Sequence, residues 1–416
     1  METEAESINN SAGRPPTLWV VTELYYPEVT STGYYLTQIA EGLAEDFEVK
    51  VLCGQPNYSA RGTKAPRTEV RSGVEIFRAA GTTLDKNVIL FRLINMLTHG
   101  IAVFFQALRR FRKGDRVLVV TTPPSLPFIT AAAALFKGAG YVLLIHDNYP
   151  EILIAAGKVS EGSFLVRTLN FFNRWLYKYA GKIIVCGRDM FELVSKKTAG
   201  LDIPIETIQN WAELETVRPY PRADNELLRE LKVENRLVFL YAGNMGYPND
   251  IESLVDCAEK LSEDERFCFI FLGAGVKRKW LERRLREKSM PNVILLDSRP
   301  RSEQNVFLNA CDVGIVSLVK KMWGVSMPSR TYNILAAGKP ILALTERDSE
   351  IARVVEEDNV GWTVPANEPA RLLEKIREIY ENRSKFREME KNARTAALEK
   401  YSLETALRKY RKALKN

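Results

Sequence analysis

Two strand–helix units follow one another in residues 236–288, RLVFLYAGNMGYPNDIESLVDCAEKLSEDERFCFIFLGAGVKRKWLERRLREK. The runs RLVFLYAG and FCFIFLG are almost continuously apolar, as strands are when a sheet is covered on both faces. Each run ends in a glycine-containing turn and leads into a segment of helical periodicity. This order predicts neighbouring parallel strands with covering helices, the repeating unit of an α/β fold.

The same alternation extends in both directions from this stretch. Further strands are predicted at LWVVTE, FEVKVLC, VEIFRA, RVLVVT, YVLLIH and KIIVC in the N-terminal half, and at NVILLD, VGIVSL, PILAL and GWTV in the C-terminal half. Helical segments separate most of them. We therefore predict two Rossmann-like, doubly wound parallel-sheet domains that face a central cleft, where the carboxyl ends of such strands bind ligands.

Length and composition set the domain boundaries. A chain of 416 residues suits two domains. Residues 1–16 are polar and acidic, which predicts a disordered tail and not a secretory signal. We assign residues 17–210 to an N-terminal domain, 211–390 to a C-terminal domain, and 391–416 to helices that pack back on the N-terminal domain.

Charge and cysteine content narrow the functional class. The net charge of +7 suits a phosphorylated substrate or an anionic membrane surface. Basic residues are spread along the chain without a recognisable RNA or DNA module, so nucleic acid is not an expected partner. Five cysteines without a CxxC pair indicate neither a disulfide framework nor structural zinc, and predict a reducing, cytoplasmic location. The sequence contains no run of about 20 uninterrupted apolar residues, so a membrane span is not expected.

Two turns in the opening stretch are candidate anion sites. In the first, Gly243, Asn244 and Gly246 precede a helix, whose free N–H groups attract phosphate. In the second, Gly-Ala-Gly leads into a helix that opens with three cations, of which we select Lys277. The alternatives are a tight turn that binds nothing and a solvated basic helix face.

A third turn lies in GVSMPSRTYNILAAGKP, residues 324–340. The proline places Ser329 and Arg330 near a helix N-terminus, where the helix dipole disfavours a cation unless an anion is bound. Asn333 falls one turn later on the same side. The alternative is an interior helix in which Arg330 pairs with an acidic neighbour.

Polar residues also end two strands of the N-terminal half. His146 ends the run YVLLIH and Asp147 follows it, and both side chains can orient or deprotonate a hydroxyl group. A core histidine is the alternative for His146. Gly33 follows the first strand and either approaches a diphosphate or simply starts a helix.

The runs SRTYNILAAGKPILA and DSEIARVVEEDNVGWTV resemble the donor-site signature of family 4 glycosyltransferases of the GT-B fold. The segments LYYPEVTSTGYYLTQIAEGLAEDFEVKVLCGQPNY and VTTPPSLPFITAAAALFKGAGYVLLIHDNYPEI are similar to their N-terminal acceptor-side domain. The resemblance is closest to bacterial enzymes of exopolysaccharide and O-antigen assembly, including fucosyltransferase-like members.

The resemblance implies a retaining, metal-independent transfer from a nucleoside-diphosphate sugar to a glycan or lipid-linked acceptor, with no cofactor. It places catalysis at Asp147 and His146, and ribose or sugar binding at Asn333 and Glu350, although Glu350 can also lie in the first turn of a helix capped by Ser349. The remaining candidates contact the donor diphosphate: Gly33, Gly243, Asn244, Gly246, Lys277, Ser329 and Arg330. The absence of any Asp-x-Asp triplet agrees with metal independence.

The sequence departs from the family at one motif. Many members carry two glutamates eight positions apart, and Val325 and Asn333 stand at these positions here. A GT-B nucleotide-sugar epimerase and a non-catalytic nucleotide-sugar-binding protein are therefore alternatives. Two stretches that are both apolar and basic, Phe91 to Lys113 and Phe171 to Lys182, predict peripheral contact with the anionic inner face of the plasma membrane, with core helices as the alternative.

Overall fold

The computed structural model describes residues 17–57, 62–84 and 88–415. The predicted tail, residues 1–16, lies outside this range. The N-terminal domain contains a sheet of order β3-β4-β2-β1-β5-β6-β7-β8, in which only the β3–β4 pair is antiparallel. Its strands are β1 (Leu18–Val21), β2 (Val49–Cys53), β3 (Thr68–Arg71), β4 (Val74–Arg78), β5 (Arg116–Val120), β6 (Gly140–Ile145), β7 (Lys182–Val185) and β8 (Ile205–Thr207). Its helices are α1 (Ser31–Leu43), α2 (Ile89–Arg110), α3 (Leu126–Lys137), α4 (Glu151–Ala155), α5 (Phe164–Lys178) and α6 (Arg188–Lys197).

The C-terminal domain is built on a parallel sheet of order β11-β10-β9-β12-β13-β14. Its strands are β9 (Leu237–Ala242), β10 (Phe267–Leu272), β11 (Val293–Leu296), β12 (Val313–Ser317), β13 (Ile341–Leu344) and β14 (Gly361–Val364). The helices are α7 (Glu226–Leu231), α8 (Ile251–Lys260), α9 (Arg278–Glu287), α10 (Gln304–Asn309), α11 (Arg330–Ala336), α12 (Glu350–Glu357), α13 (Pro369–Glu381), α14 (Phe386–Glu399) and α15 (Leu403–Lys415). Both sheets are doubly wound, so the predicted fold class is confirmed.

Two edge strands, β3 and β8, were not predicted from the sequence. Strand β3 is largely exposed and alternates between charged and uncharged side chains, so it lacks the apolar run that identified the other strands. It pairs with β4 through a tight turn at Ser72 and Gly73, both with positive φ. Such a short, charged edge strand protects the sheet from pairing with another chain.

Helix α2 is long and apolar enough, by length and composition, to cross a membrane over residues Leu90–Arg110. In the fold it covers the N-terminal sheet and packs against α3. Val103 and Ala107 on its inner side are fully buried, whereas much of its outer side is exposed. The helix is therefore a structural part of the N-terminal domain.

The end of the chain returns to the N-terminal domain. Helix α14 packs on α11, and α15 then packs on α1. Arg411 on α15 forms an ion pair with Asp46, and Leu407 fills the space beside Gly42. At the domain boundary the backbone N–H of Ala212 donates to the carbonyl oxygen of Tyr401 at 2.8 Å. Two segments that connect the domains therefore lie side by side.

Candidate active site

The first two glycine turns of the C-terminal domain support one another. The N–H of Met245 donates to the carbonyl of Ala274 at 2.7 Å, and the N–H of Lys277 donates to the carbonyl of Met245 at 3.0 Å. A Cβ atom on Gly273 would lie 2.0 Å from the carbonyl oxygen of Gly243. The Gly-Ala-Gly turn is therefore the support on which the 243–246 turn rests.

Arg330 faces the first of these turns. Its guanidinium lies 4.5 Å from the ring centroid of Tyr241, and its Nη2 donates to Oδ1 of Asn249 at 2.9 Å. A Cβ atom on Gly243 would lie 3.3 Å from its Cζ and Nη1, so the glycine makes room for the guanidinium. Nη1 is buried and finds no hydrogen-bond partner in the described residues. A buried N–H without a partner is costly unless a ligand accepts from it.

The alternative for Arg330, pairing with an acidic neighbour, does not occur within the described residues. The side chain is instead oriented by neutral groups, the amide of Asn249 and the ring of Tyr241. A guanidinium held by neutral partners keeps its full positive charge for an anion. This is the property that a diphosphate site requires.

Asn249, which is not among the predicted site residues, connects three parts of the site. Its side-chain amide accepts from Arg330 and donates to the carbonyl of Asn244 at 3.0 Å, and its own carbonyl accepts from Nζ of Lys277 at 2.6 Å. The residue is buried. Its position just before Asp250, which caps α8, was the only sequence signal, and that signal indicated a helix start.

Lys277 requires a correction. Its ammonium forms an ion pair with Glu252 at 2.7 Å as well as the hydrogen bond to Asn249. Lys277 precedes α9, and its side chain extends to the first turn of α8, where its charge is balanced by Glu252. We therefore assign Lys277 to the support of the turn and no longer to the diphosphate. Arg278 forms ion pairs with Glu282 and Asp297 at 2.9 and 2.8 Å, and its Nη1 donates to the carbonyl oxygens of Gly273 and Leu296. Its side chain therefore packs against the Gly-Ala-Gly turn, which does not fit a solvated basic helix face.

The N-terminal domain meets α11 at Ser329. The hydroxyl oxygens of Ser329 and Ser31 lie 2.7 Å apart across the cleft. Gly33 lies two residues further on in α1, and its N–H donates to Oγ1 of Thr30, the helix cap. A Cβ atom on Gly33 would approach the carbonyl oxygen of Glu28 to 2.9 Å. We reassign Gly33 from the diphosphate to the alternative of a helix-start glycine. Its N–H donates within its own loop, and the position where a Cβ atom would lie faces the same loop.

Asn333 also requires a correction. Its Nδ2 donates to Oε1 of Glu213 at 3.0 Å, and its Oδ1 accepts from the backbone N–H of Glu213 at 2.8 Å. The side chain is 3% exposed. Glu213 also accepts from Arg301. Because both ends of its buried amide bind Glu213, in the segment that joins the domains, we assign Asn333 to holding that segment and no longer to the ribose or sugar.

Glu350 connects the two domains. Its Oε2 accepts from the backbone N and the Nε of Arg188, both at 2.8 Å, at the start of α6. Arg188 also pairs with Glu357 at 2.8 Å. Ser349 caps α12 by accepting from the N–H of Ala352. The side chain is only 1% exposed and Oε2 is engaged in this contact, whereas Oε1 is buried and finds no partner within the described residues. Glu350 therefore holds the domain contact through Oε2, and its ribose or sugar role stays a prediction.

Asp147 lies against the loop that carries Val325. It forms an isolated antiparallel bridge with Ser326, and the N–H of Asn148 donates to the carbonyl of Val325 at 2.8 Å. Burial raises the pKa of Asp147 to about 6, against a hydrogen bond from Ser326 that lowers it. Burial lowers the pKa of His146 to about 4, so its imidazole is neutral at pH 7.

A small cavity next to Asp147 explains part of this burial. Its volume is about 20 Å³, room for about one water molecule. Most of its lining is apolar, including Phe128, Leu143 and Ile145. Such surroundings favour the neutral form of a carboxyl group. Within the described residues, no group of three or more His, Cys, Asp or Glu side chains is arranged to hold a metal ion.

The predicted site residues therefore separate into two groups. In the first group, Arg330 lies against Gly243, and Asn249 joins Arg330 to the carbonyl of Asn244 in the turn that ends at Gly246. Ser329 precedes Arg330 and contacts Ser31 of the N-terminal domain. Asp147 and His146 form the second group. Residues 326–330 connect the two groups, because Ser326 contacts Asp147 and Arg330 faces the glycine turn. An elongated ligand with an anionic middle and a polar end matches this arrangement.

Comparison with known proteins finds matches to both domains of the chain. Residues 224–396 match the family model described as glycosyl transferases group 1, and residues 31–211 match the glycosyl transferase 4-like domain. The chain is 30% identical over 371 residues to the probable glycosyltransferase WbjE of Pseudomonas aeruginosa, covering 88% of this chain and 89% of that protein.

Two further proteins are similar. The chain is 25% identical over 344 residues to the putative colanic acid biosynthesis glycosyl transferase WcaI of Escherichia coli (strain K12), covering 80% of this chain and 84% of that protein. Its fold is similar to Anabaena HepE in complex with UDP-glucose, with a TM-score of 0.70 and 15% identity, covering 96% of this chain and 99% of that chain.

Proposed function

The chain belongs to the family 4 glycosyltransferases of the GT-B fold, and on this premise we propose a retaining, metal-independent sugar transfer in surface-polysaccharide biosynthesis. The donor is a nucleoside-diphosphate sugar, and the acceptor is a glycan or a lipid-linked saccharide. The observation that carries this proposal is the charged, incompletely paired guanidinium of Arg330 beside Gly243. The name of WcaI supports the polysaccharide context, and the UDP-glucose complex of HepE supports the donor class.

In this proposal the diphosphate lies between the 243–246 turn and the start of α11. Arg330 donates to phosphate oxygens through Nη1, while Asn249 fixes its orientation through Nη2. Ser329 and the backbone of the glycine turn supply further donors. Charge that develops on the leaving diphosphate is then stabilised by a guanidinium already in place, which is how preorganised donors accelerate a reaction.

The transferred sugar lies toward Ser326 and Asp147, at the other end of the same segment. In a retaining transfer without a protein nucleophile, the leaving diphosphate accepts the proton of the acceptor hydroxyl on the same face of the sugar. Asp147 accepts a hydrogen bond from a sugar or acceptor hydroxyl and thereby positions it. The neutral His146 borders the same position, and its Nε2 finds no partner within the described residues.

A nucleotide screen tests the donor site. We expect one of UDP, GDP and TDP, or its sugar conjugates, to raise the unfolding midpoint, since a ligand at a hundred times its dissociation constant adds about 2.7 kcal/mol. With the matching nucleotide sugar, free nucleotide should appear only after a saccharide acceptor is added. Release without acceptor would indicate hydrolysis, and interconversion of donor sugars would indicate an epimerase. If no nucleotide raised the midpoint, the proposed donor class would be wrong.

The pH profile tests the role of Asp147. We expect kcat/KM to fall as the pH drops below about 6, because protonation removes the negative charge of Asp147 and makes it a weaker hydrogen-bond acceptor. Its pKa is raised above the unfolded value, so the folded chain binds this proton more tightly than the unfolded chain does. Protonation therefore adds stability, and this group does not cause acid unfolding in that range. The Asp147→Asn variant should have a lower kcat/KM that no longer falls below pH 6. If the variant kept the pH profile of the parent, Asp147 would have no role in the reaction.

We also propose that the enzyme is cytoplasmic and lies on the inner face of the plasma membrane, where a lipid-linked acceptor is found. Helices α2, α3 and α5 form neighbouring parts of one layer of the N-terminal domain. Their outer side chains include large exposed apolar residues: Leu93, Leu97, Ile101, Phe105, Phe136, Phe164, Phe171 and Phe172. Exposed apolar surface of this extent indicates an interaction site.

A further inference from the structure

A second cleft opens at the end of the N-terminal sheet where its strands begin. It has a volume of about 580 Å³ and lies where β1, β2 and β5 begin, whereas the candidate active site lies where strands end. Trp19 and Phe77 form its aromatic part. The end of α2 and the segment that follows it contribute four cations, Arg109, Arg110, Arg112 and Lys113. A cleft of this size suits a small ligand.

The charges of the cleft are not balanced by its own carboxylate. Asp115 accepts from Nε1 of Trp19 at 3.0 Å and from the backbone N–H of Arg112 at 2.9 Å, so it stabilises the local backbone. Lys50 forms an ion pair with Glu75 at 2.8 Å. Within the described part of the chain, none of the four cations from Arg109 to Lys113 forms an ion pair. The cleft therefore carries an excess of positive charge.

Helix geometry explains only part of this cluster. Arg109 and Arg110 lie in the last turn of α2, where the helix dipole favours cations. Arg112 and Lys113 lie beyond the helix end. The guanidinium of Arg110 is held 4.2 Å from the ring centroid of Phe77, and its burial together with Arg109 lowers its pKa. Burial is the larger cause and the like charge of Arg109 the smaller one, and an anion in the cleft offsets both.

The outer side of α2 indicates where such an anion comes from. Leu93, Leu97, Ile101 and Phe105 are spaced four residues apart and are 51%, 63%, 51% and 65% exposed. This spacing places them on one side of the helix, in a stripe that leads to Arg109. A free phosphate ion makes no contact with an apolar stripe, whereas a phospholipid presents a phosphate group and an apolar layer together.

We propose that this cleft binds the phosphodiester headgroup of an anionic phospholipid while α2 lies along the bilayer surface. The apolar stripe enters the boundary of the acyl chains, and the four cations surround the phosphate at the level of the headgroups. The inference rests on the membrane contact proposed above and not on the transfer step. It adds a defined lipid site to what is otherwise a general apolar attraction.

The test is co-sedimentation of the full chain with phosphatidylcholine vesicles that contain or lack phosphatidylglycerol, without any sugar substrate. We expect the anionic vesicles to bind the protein, and Arg109→Gln/Arg112→Gln to weaken this binding about thirtyfold, since each cation near the surface contributes about a fivefold factor. The matched control is Arg283→Gln/Arg286→Gln on α9, which removes the same charge at exposed positions of the other domain. The control should bind almost as the parent does.

Three results would overturn the proposal. Equal losses in both double variants would show that total charge, and not the cleft, drives binding. Equal binding to vesicles with and without phosphatidylglycerol would leave no role for the headgroup. Inorganic phosphate, titrated calorimetrically without vesicles, should bind weakly; tight binding lost in Arg109→Gln/Arg112→Gln would assign the cleft to a soluble phosphate. Nucleotide binding should be the same in all variants, so failure here is distinguishable from failure of the proposed transfer.

Discussion

Replacing Arg330 with alanine should lower kcat/KM about 100- to 1,000-fold, the loss typical when one preorganised donor to a developing charge is removed. The guanidinium is the cation that faces the 243–246 turn without an acidic partner in the described residues. Its removal also leaves Oδ1 of Asn249 without its donor. Steady-state kinetics with the matching nucleotide sugar, together with calorimetric titration of the nucleotide, measures both effects.

Two controls separate charge from geometry in this experiment. Arg330→Lys keeps the charge but loses the planar pair of donors, so we expect an intermediate rate. Arg283→Ala removes an exposed arginine from α9 and should leave nucleotide affinity unchanged. If Arg330→Ala bound the nucleotide as tightly as the parent, the diphosphate would have to lie elsewhere, and the proposed site would be wrong.

Gly273→Ala should destabilise the C-terminal domain by about 3–5 kcal/mol and abolish nucleotide binding. Gly273 has a φ of +144°, which alanine rarely adopts, and the added Cβ would lie 2.0 Å from the carbonyl oxygen of Gly243. Backbone atoms cannot move aside as a flexible side chain does, so the 243–246 turn must shift. Chemical denaturation gives the stability, and calorimetric titration gives the nucleotide affinity.

Gly62→Ala is the matched control for this substitution. Gly62 also has a positive φ, +93°, but an added Cβ there would meet no atom of the described residues within 4 Å. It should cost roughly 1 kcal/mol, from backbone strain alone, and leave nucleotide affinity intact. Equal effects of the two substitutions would mean that the contact between the two glycine turns is not what positions the donor site.

The sequence predicted the fold well because strands buried on both faces are almost wholly apolar. All six strands of the C-terminal sheet, and β1, β2, β4, β5, β6 and β7 of the N-terminal sheet, were predicted on that signal. Strand β3 was not predicted, because an exposed edge strand carries charged side chains and lacks a continuous apolar run. Local patterns therefore identify central strands far better than edges.

The candidate site shows the same limit in a different form. Arg330 could be selected because a cation at a helix start is a local anomaly. The pairing of Asn333 with Glu213 spans 120 positions, and that of Glu350 with Arg188 spans 162. No local pattern indicates such distant partners, so the sequence alone could not predict that Asn333 and Glu350 also hold the two domains together.

The two segments that connect the domains lie side by side at Ala212 and Tyr401, and this constrains how the domains move relative to one another. A single connecting segment lets two domains both bend and twist relative to one another. Two segments side by side resist twisting, so that bending is the easier motion. Opening of the molecule should therefore follow one preferred axis near this seam. Ser31 and Ser329 would then separate and reunite along a reproducible path, so that each catalytic cycle restores the same alignment of donor and acceptor.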